Sequence, residues 1–224
     1  MKNVTVVFDL DGTLVDTAPD LLAATNHVLA SVDAPPVAME GLRPTISFGA
    51  RAMIEHGLKL AGQERSAAEV DALLDAFLEH YAQNIAVSSR PYPGAQIVLE
   101  SLIEVGARLS ICTNKREGLS RKLLTELKLL DHFHAIAGRD TLPVCKPDPG
   151  HLIGAIILAD GNPNRAVMIG DSETDIQTAK TAGIPVIAVT FGYSARPIAE
   201  YEPDALADSY GELHQELSRI VATL

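Results

Sequence analysis

Cysteine is nearly missing from this 224-residue chain. Cys112 and Cys145 are the only two, far apart and outside any Cys-x-x-Cys or Cys/His cluster, which leaves no framework for a structural zinc site or a disulfide network. Basic charge is short as well: Lys and Arg total 18 against 29 Asp and Glu, a formal net charge of -11. With no long basic block either, nucleic-acid backbone and anionic lipid are excluded as partners. No apolar run approaches the roughly 18 residues that span a bilayer, and Asp9 and Asp11 interrupt the apolar stretch after Lys2 that a signal peptide would continue. A soluble cytoplasmic protein, monomer or homodimer, is the expectation. What the chain does have is 47% hydrophobic and 21% charged side chains, enough to bury a real core.

Short apolar runs rich in Val, Ile and Ala recur at Val4 to Phe8, Arg108 to Cys112, His134 to Ala137, Ala166 to Ile169 and Pro185 to Val189. Each reads as a strand buried on both faces. Stretches with helical period lie between them: Gln96 to Val105, Glu117 to Leu127, Gly150 to Ala159 and Thr174 to Ala182. Strands alternating with helices predict an α/β core, doubly wound and Rossmann-like around a parallel sheet. The rhythm breaks between Asp16 and Arg90, where helical patterns (Leu21 to Ser31, Gly49 to Ala61, Ala67 to Asn84) occur without a convincing strand. A connection of that length is better read as an inserted helical subdomain than as a loop. The predicted division is therefore a core of residues 1–16 and 91–224 and an α-helical insert of 17–90, with Pro19 at one crossing and Pro91, Pro93 and Gly94 at the other stiffening and freeing a hinge.

Ligands of an open parallel sheet gather outside the carboxyl ends of its strands, so the residues just past each run carry the chemistry. After the first run come Asp9-Leu10-Asp11-Gly12-Thr13, after the second Thr113-Asn114-Lys115, after the third Lys146-Pro147 and after the fourth Asp171-Ser172-Glu173-Thr174-Asp175. Taken singly, these are ordinary signals: Asp-Gly for a turn, Asn114 with Glu117 for a helix N-cap pair, Ser172 with Asp175 for a capping box, Lys-Pro for a surface loop. Their joint placement at one end of successive strands argues for a site. Alternating side-chain directions bring Asp9 and Asp11 to one side, and Gly12 permits a tight turn and close backbone approach.

The same residues carry a resemblance. Asp9-Leu10-Asp11-Gly12-Thr13-Leu14-Val15-Asp16-Thr17, Thr113-Asn114, Lys146-Pro147 and Gly170-Asp171 with Asp175 resemble, in order, the four signature motifs of the haloacid dehalogenase superfamily. Within it the chain is most similar to phosphoglycolate phosphatases, which share the run from Gly170 to Gln177 and the segment Thr190-Phe191-Gly192-Tyr193. The resemblance implies an inserted α-helical cap and a Mg²⁺-dependent phosphatase of small phosphorylated metabolites, 2-phosphoglycolate first among them, working through an aspartyl-phosphate. Asp9 is then the nucleophile and Asp11 the general acid and base, while Thr113, Asn114, Lys146 and Gly12 bind the phosphoryl group. The metal ligands are Asp9, the Asp11 backbone carbonyl and Asp171, and Asp175 holds a metal-bound water or Lys146. Hard oxygen ligands beside a phosphate suit Mg²⁺, which relieves the repulsion between four acids and a dianion.

In the insert, Arg51 is the cation favoured for a substrate carboxylate or phosphate, ahead of Arg43 and Lys59. His27, His56 and His80 read as ordinary helix residues and Cys112 as core packing. Lys115, Arg116, Arg121, Lys122 and Lys128 read as a solvated helix face. The competing readings are a phosphomutase of the β-phosphoglucomutase kind, a promiscuous sugar-phosphate phosphatase, and, from another class, a catalytically silent binding or regulatory protein.

Overall fold

The computed structural model describes residues 1–224, the side chain of Pro44 excepted, and divides them into two compact units, residues 1–16 with 91–224 and residues 17–90.

In the larger unit, Val, Ile and Ala runs that no helix-breaking residue interrupts form strands whose burial is nearly complete. They are β1 (Thr5–Phe8), β4 (Arg108–Cys112), β5 (Ala135–Ala137), β6 (Ala166–Gly170), β7 (Val186–Val189) and β8 (Ala205–Ala207). All pair in parallel in the order β5-β4-β1-β6-β7-β8. Two further pieces, β2 (Val15–Asp16) and β3 (Arg90–Pro91), are two residues each and form a separate pair. The helices of this unit are α5 (Ala95–Glu104), α6 (Glu117–Glu126), α7 (Pro149–Leu158), α8 (Glu173–Ala182) and α9 (Tyr210–Val221). Leu152, Ala155 and Ile156 of α7 and Ile176 and Ala179 of α8 pack in one cluster with Val7, Cys112, Met168 and Val186 of the strands. Every strand and helix expected here from the sequence is present, with ends shifted by a residue or so. β8 and α9 were not anticipated, because Ala205–Ala207 is too short to stand out and comes after a turn-rich stretch.

The register places the chemistry. Phe8 lies opposite both Ile111 and Ile169, so β1 is the central strand and the chain reverses its order of addition on either side of it, the switch point where such sheets open a crevice. The Asp9 N–H donates to Ile169 O (2.9 Å) and the Thr113 N–H to Ala137 O (3.0 Å), continuing the ladders one residue past their strands.

The smaller unit is helical: α1 (Ala18–Ala30), the single turn α2 (Met39–Leu42), α3 (Ala50–Leu60) and α4 (Ala67–Gln83). Helix α4 begins with a Ser66/Glu69 capping box, in which each residue satisfies a donor the other exposes. Buried Asp20 in the first turn of α1 accepts from Ser88 N, Ser89 N and Ser89 Oγ at 2.7–3.0 Å, which fixes the end of the unit to its beginning. The rings of His27 and His80 stack 3.9 Å apart, and burial together with the His27 ring holds His80 below the ordinary histidine pKa.

Candidate active site

Asp9 and Asp171 leave adjacent strands, β1 and β6, and Asp175 stands in the first turn of α8, where it forms a capping box with Ser172. The three carboxylates are buried, with ligand oxygens within 4.8 Å of one another. Lys146, itself 4% exposed, puts its ammonium 2.9 Å from Asp9 Oδ1 and 2.5 Å from Asp175 Oδ1. Asp9 Oδ1 is buried, and the Lys146 ammonium is the cation that stands against it. Asp175 has both oxygens engaged, the second accepting from Ser172 Oγ (2.6 Å) and Ser172 N (3.1 Å). It therefore serves as helix cap and as Lys146 anchor at once.

Asp171 sits in a fitted cradle. Thr13 Oγ donates to one oxygen (3.0 Å) and the Tyr193 N–H to the other (2.7 Å). A Cβ on Gly12 would lie 2.4 Å from Asp171 Oδ2, and one on Gly192 2.2 Å from Asp171 Cβ. Gly12 also has φ +85°, a conformation that side chains disfavour. The Tyr193 hydroxyl donates to Asp16 (2.7 Å) and the Tyr210 hydroxyl to Thr13 O (2.9 Å), pinning the first loop.

The electrostatics arise from crowding. Burial, with Asp175 and Asp11 nearby and only Lys146 opposing, raises Asp9 to about 6, and burial, then Asp175 and Asp9, hold Asp171 well above the carboxylate range. Burial works against the Lys146 ammonium, but Asp175 and Asp9 outweigh it and keep it charged. One cation against three buried carboxylates leaves uncompensated charge, and carboxylate oxygens are the donors a hard divalent cation prefers. The residues present fit such an ion.

The second-strand residues take different roles. Thr113 is buried and its hydroxyl accepts from Lys115 N (3.2 Å). Asn114 does not cap α6, whose N-cap is Arg116 without a side-chain bond. Instead Asn114 Nδ2 donates to Lys146 O (3.0 Å), leaving its buried Oδ1 without a hydrogen-bond partner among the described residues.

Lys115 corrects the expectation of a solvated helix face. It precedes α6, its side chain is 6% exposed, and its ammonium donates to both Asp11 oxygens, at 2.8 and 2.9 Å. Its place directly after Thr113-Asn114 was the available signal; grouping it with the charges of α6 concealed it. His151 was also missed. Fully buried on α7, it accepts from Lys146 N at Nδ1 (3.2 Å) and bonds Gly138 O at Nε2 (3.1 Å), a pattern that only a neutral ring with hydrogen on Nε2 satisfies. Cys112, beneath it at 3.5 Å, is core packing as expected, its thiol pushed up to about 12 by burial. Arg51 lies in the helical unit on α3, paired with Asp71 and, at 3.6 Å, with Glu55, its side chain 42% exposed. No helix among the described residues is long and apolar enough to cross a membrane.

The family described as haloacid dehalogenase-like hydrolase matches residues 6–189. The chain is 50% identical over 220 residues to a phosphoglycolate phosphatase of Mesorhizobium japonicum, spanning 97% of this chain and 96% of that one. It is 42% identical over 207 residues to a phosphoglycolate phosphatase of Agrobacterium fabrum, spanning 92% and 89%. Among solved structures, one from Haemophilus somnus 129PT, described as a predicted phosphoglycolate phosphatase, shares 29% identity with a TM-score of 0.89 over 96% of this chain and 98% of that one.

Proposed function

The chain belongs to the haloacid dehalogenase-like hydrolases, and from that premise we propose that it is a phosphatase that hydrolyses a small phosphomonoester, 2-phosphoglycolate, through an aspartyl-phosphate on Asp9. The observation that carries the reading is the buried group of Asp9, Asp171 and Asp175, two of them paired with the Lys146 ammonium, with Asp11 two residues from Asp9.

Phosphate-ester hydrolysis has a very high uncatalysed barrier, which a covalent intermediate divides into two smaller ones. An Asp9 oxygen attacks phosphorus as the bond to the leaving oxygen breaks. Asp11 gives a proton to that oxygen and then takes one from the water that cleaves the acyl phosphate. Lys146 supplies fixed positive charge to the phosphoryl oxygens, and Thr113 and Asn114 supply donors, so the gain comes from charges already in place. Mg²⁺ held by Asp9, Asp171 and the Asp11 carbonyl would screen the dianion from the carboxylates. Residues 17–90 take the part of the cap.

Asp9→Asn is the direct test. With Mg²⁺ and 2-phosphoglycolate, inorganic phosphate release is expected to fall roughly a thousandfold or more, with the fold retained by circular dichroism. Surviving turnover would remove Asp9 as the nucleophile. Conversion of a sugar phosphate to an isomer in the presence of a bisphosphate, without phosphate release, would point to a mutase instead.

A further inference from the structure

We propose that Lys115 is the residue that recognises a carboxylate on the leaving group, and so selects phosphorylated 2-hydroxy acids over neutral phosphate esters. This rests on the phosphatase reading and on Asp11 as its acid.

A group that protonates the leaving oxygen must touch it. Asp11 therefore marks where the leaving oxygen lies, and whatever stands against Asp11 stands against the atoms next to that oxygen. Lys115 does so with its ammonium, 2.8 and 2.9 Å from the two Asp11 oxygens. In a phosphorylated 2-hydroxy acid the carboxyl carbon is two bonds from the leaving oxygen. An ammonium that already reaches Asp11 reaches that carboxylate with a change of rotamer, and its three rotating donors serve several carboxylate oxygens together. Desolvation strengthens the contact, because the Lys115 side chain is only 6% exposed, where a charge-assisted bond is worth far more than at the surface.

The other cations fit the task less well. Lys146 is held between Asp9 and Asp175, on the side where phosphorus must lie for Asp9 to attack. Arg51 is half-exposed and paired with two acids of its own unit. The sequence favoured Arg51, in the insert, for a substrate carboxylate or phosphate; Lys115 stands instead on the loop after β4, beside Asp11. A site of this kind is specific by default, because a neutral leaving group brings no countercharge to a desolvated ammonium, and unmatched polar groups discriminate more sharply than missing methylenes do.

The experiment compares 2-phosphoglycolate with 2-hydroxyethyl phosphate, which replaces the carboxylate by a hydroxymethyl group, on the wild-type chain and on Lys115→Met, Lys115→Gln and Lys115→Arg. Wild type is expected to favour 2-phosphoglycolate in kcat/KM. Lys115→Met should cut that preference by about tenfold or more, chiefly by raising KM for 2-phosphoglycolate, and Lys115→Arg should restore part of it. Lys115→Gln, close in size and neutral, gives the same reading should the methionine variant fold poorly. A fall in kcat by one common factor for both esters would overturn the proposal and leave Lys115 as a support for Asp11. Equal use of both esters by the wild type would overturn it too, with the phosphatase reading intact; failure of the wild type on every phosphate ester would instead overturn the phosphatase reading.

Discussion

Lys146 shows how much one residue carries. Its ammonium touches both Asp9 and Asp175, and its removal leaves two buried carboxylates facing each other. Lys146→Met should lower kcat by roughly a hundredfold or more and destabilise the metal-free protein by about 3–5 kcal/mol, the usual consequence of breaking a buried pair. Urea denaturation beside steady-state kinetics reads both, and a stable variant with unchanged kcat would dismiss the role. Gly192 makes a different kind of point. It has no functional group, yet a methyl there would meet Asp171 at 2.2 Å. Gly192→Ala is expected to weaken divalent-cation affinity by roughly ten- to a hundredfold, as displaced support of a ligand does, a shift that titration calorimetry resolves. Arg51 and Lys115 show why residue type alone does not tell such cations apart: both stand near a helix start, and only their partners separate them.

Among the elements, α8 and α7 position the site through their first turns. The Ser172/Asp175 capping box gives α8 its start and also fixes the carboxylate that holds Lys146. Ser172→Ala should cost about 1 kcal/mol of stability, as a lost cap does, and should also lower kcat, because the Asp175 carboxylate loses the hydroxyl that orients it. A stability loss without any kinetic change would separate the two roles. Helix α7 contributes His151, whose neutral ring ties the Lys146 backbone to Gly138. Burial holds its pKa below the ordinary 6.5, so the unfolded chain takes up a proton that the folded chain refuses. Stability is then full above 6.5 and declines as pH falls from there towards the lowered folded value. Subtracting the pH profile of His151→Gln from that of the wild type should reveal this decline in denaturation midpoints; coincident slopes would refute it.

For the molecule as a whole, the net charge of -11 has a local meaning. Part of it is concentrated in buried carboxylates that repel one another, and burial with that repulsion raises Asp9 to about 6. The sign is opposite to that of His151: the folded metal-free protein holds a proton on Asp9 that the unfolded chain releases near 3.8, so this group's contribution to stability falls as pH rises from about 4 to about 6. A bound divalent cation replaces that proton. Chelation should therefore abolish turnover, and adding Mg²⁺ should raise the melting temperature at about pH 7 more than at about pH 4, where the acids take up protons instead. Scanning calorimetry with and without chelator measures it, and an equal shift at both pH values would exclude the acidic cluster as the cation site.

The sheet, the helical insert and the residues just past the strands could be read from the sequence, because burial period and turn chemistry are local properties that a stretch of about ten residues displays. Asp9, Thr113 and Asp171 stood out for that reason as the residues just past their strands, whereas Lys146, in the loop between β5 and α7, was singled out through the family resemblance. Which side chains pair with which follows only from the folded arrangement. Lys115 meets Asp11 across 104 residues, and Lys146 meets Asp175 across 29. His151 uses both ring nitrogens on backbone groups of two different segments, and Asn114 donates to the Lys146 carbonyl without capping α6. Those choices depend on side-chain direction at the edge of a folded sheet and on which charges burial forces together, and neither quantity exists until the chain has folded.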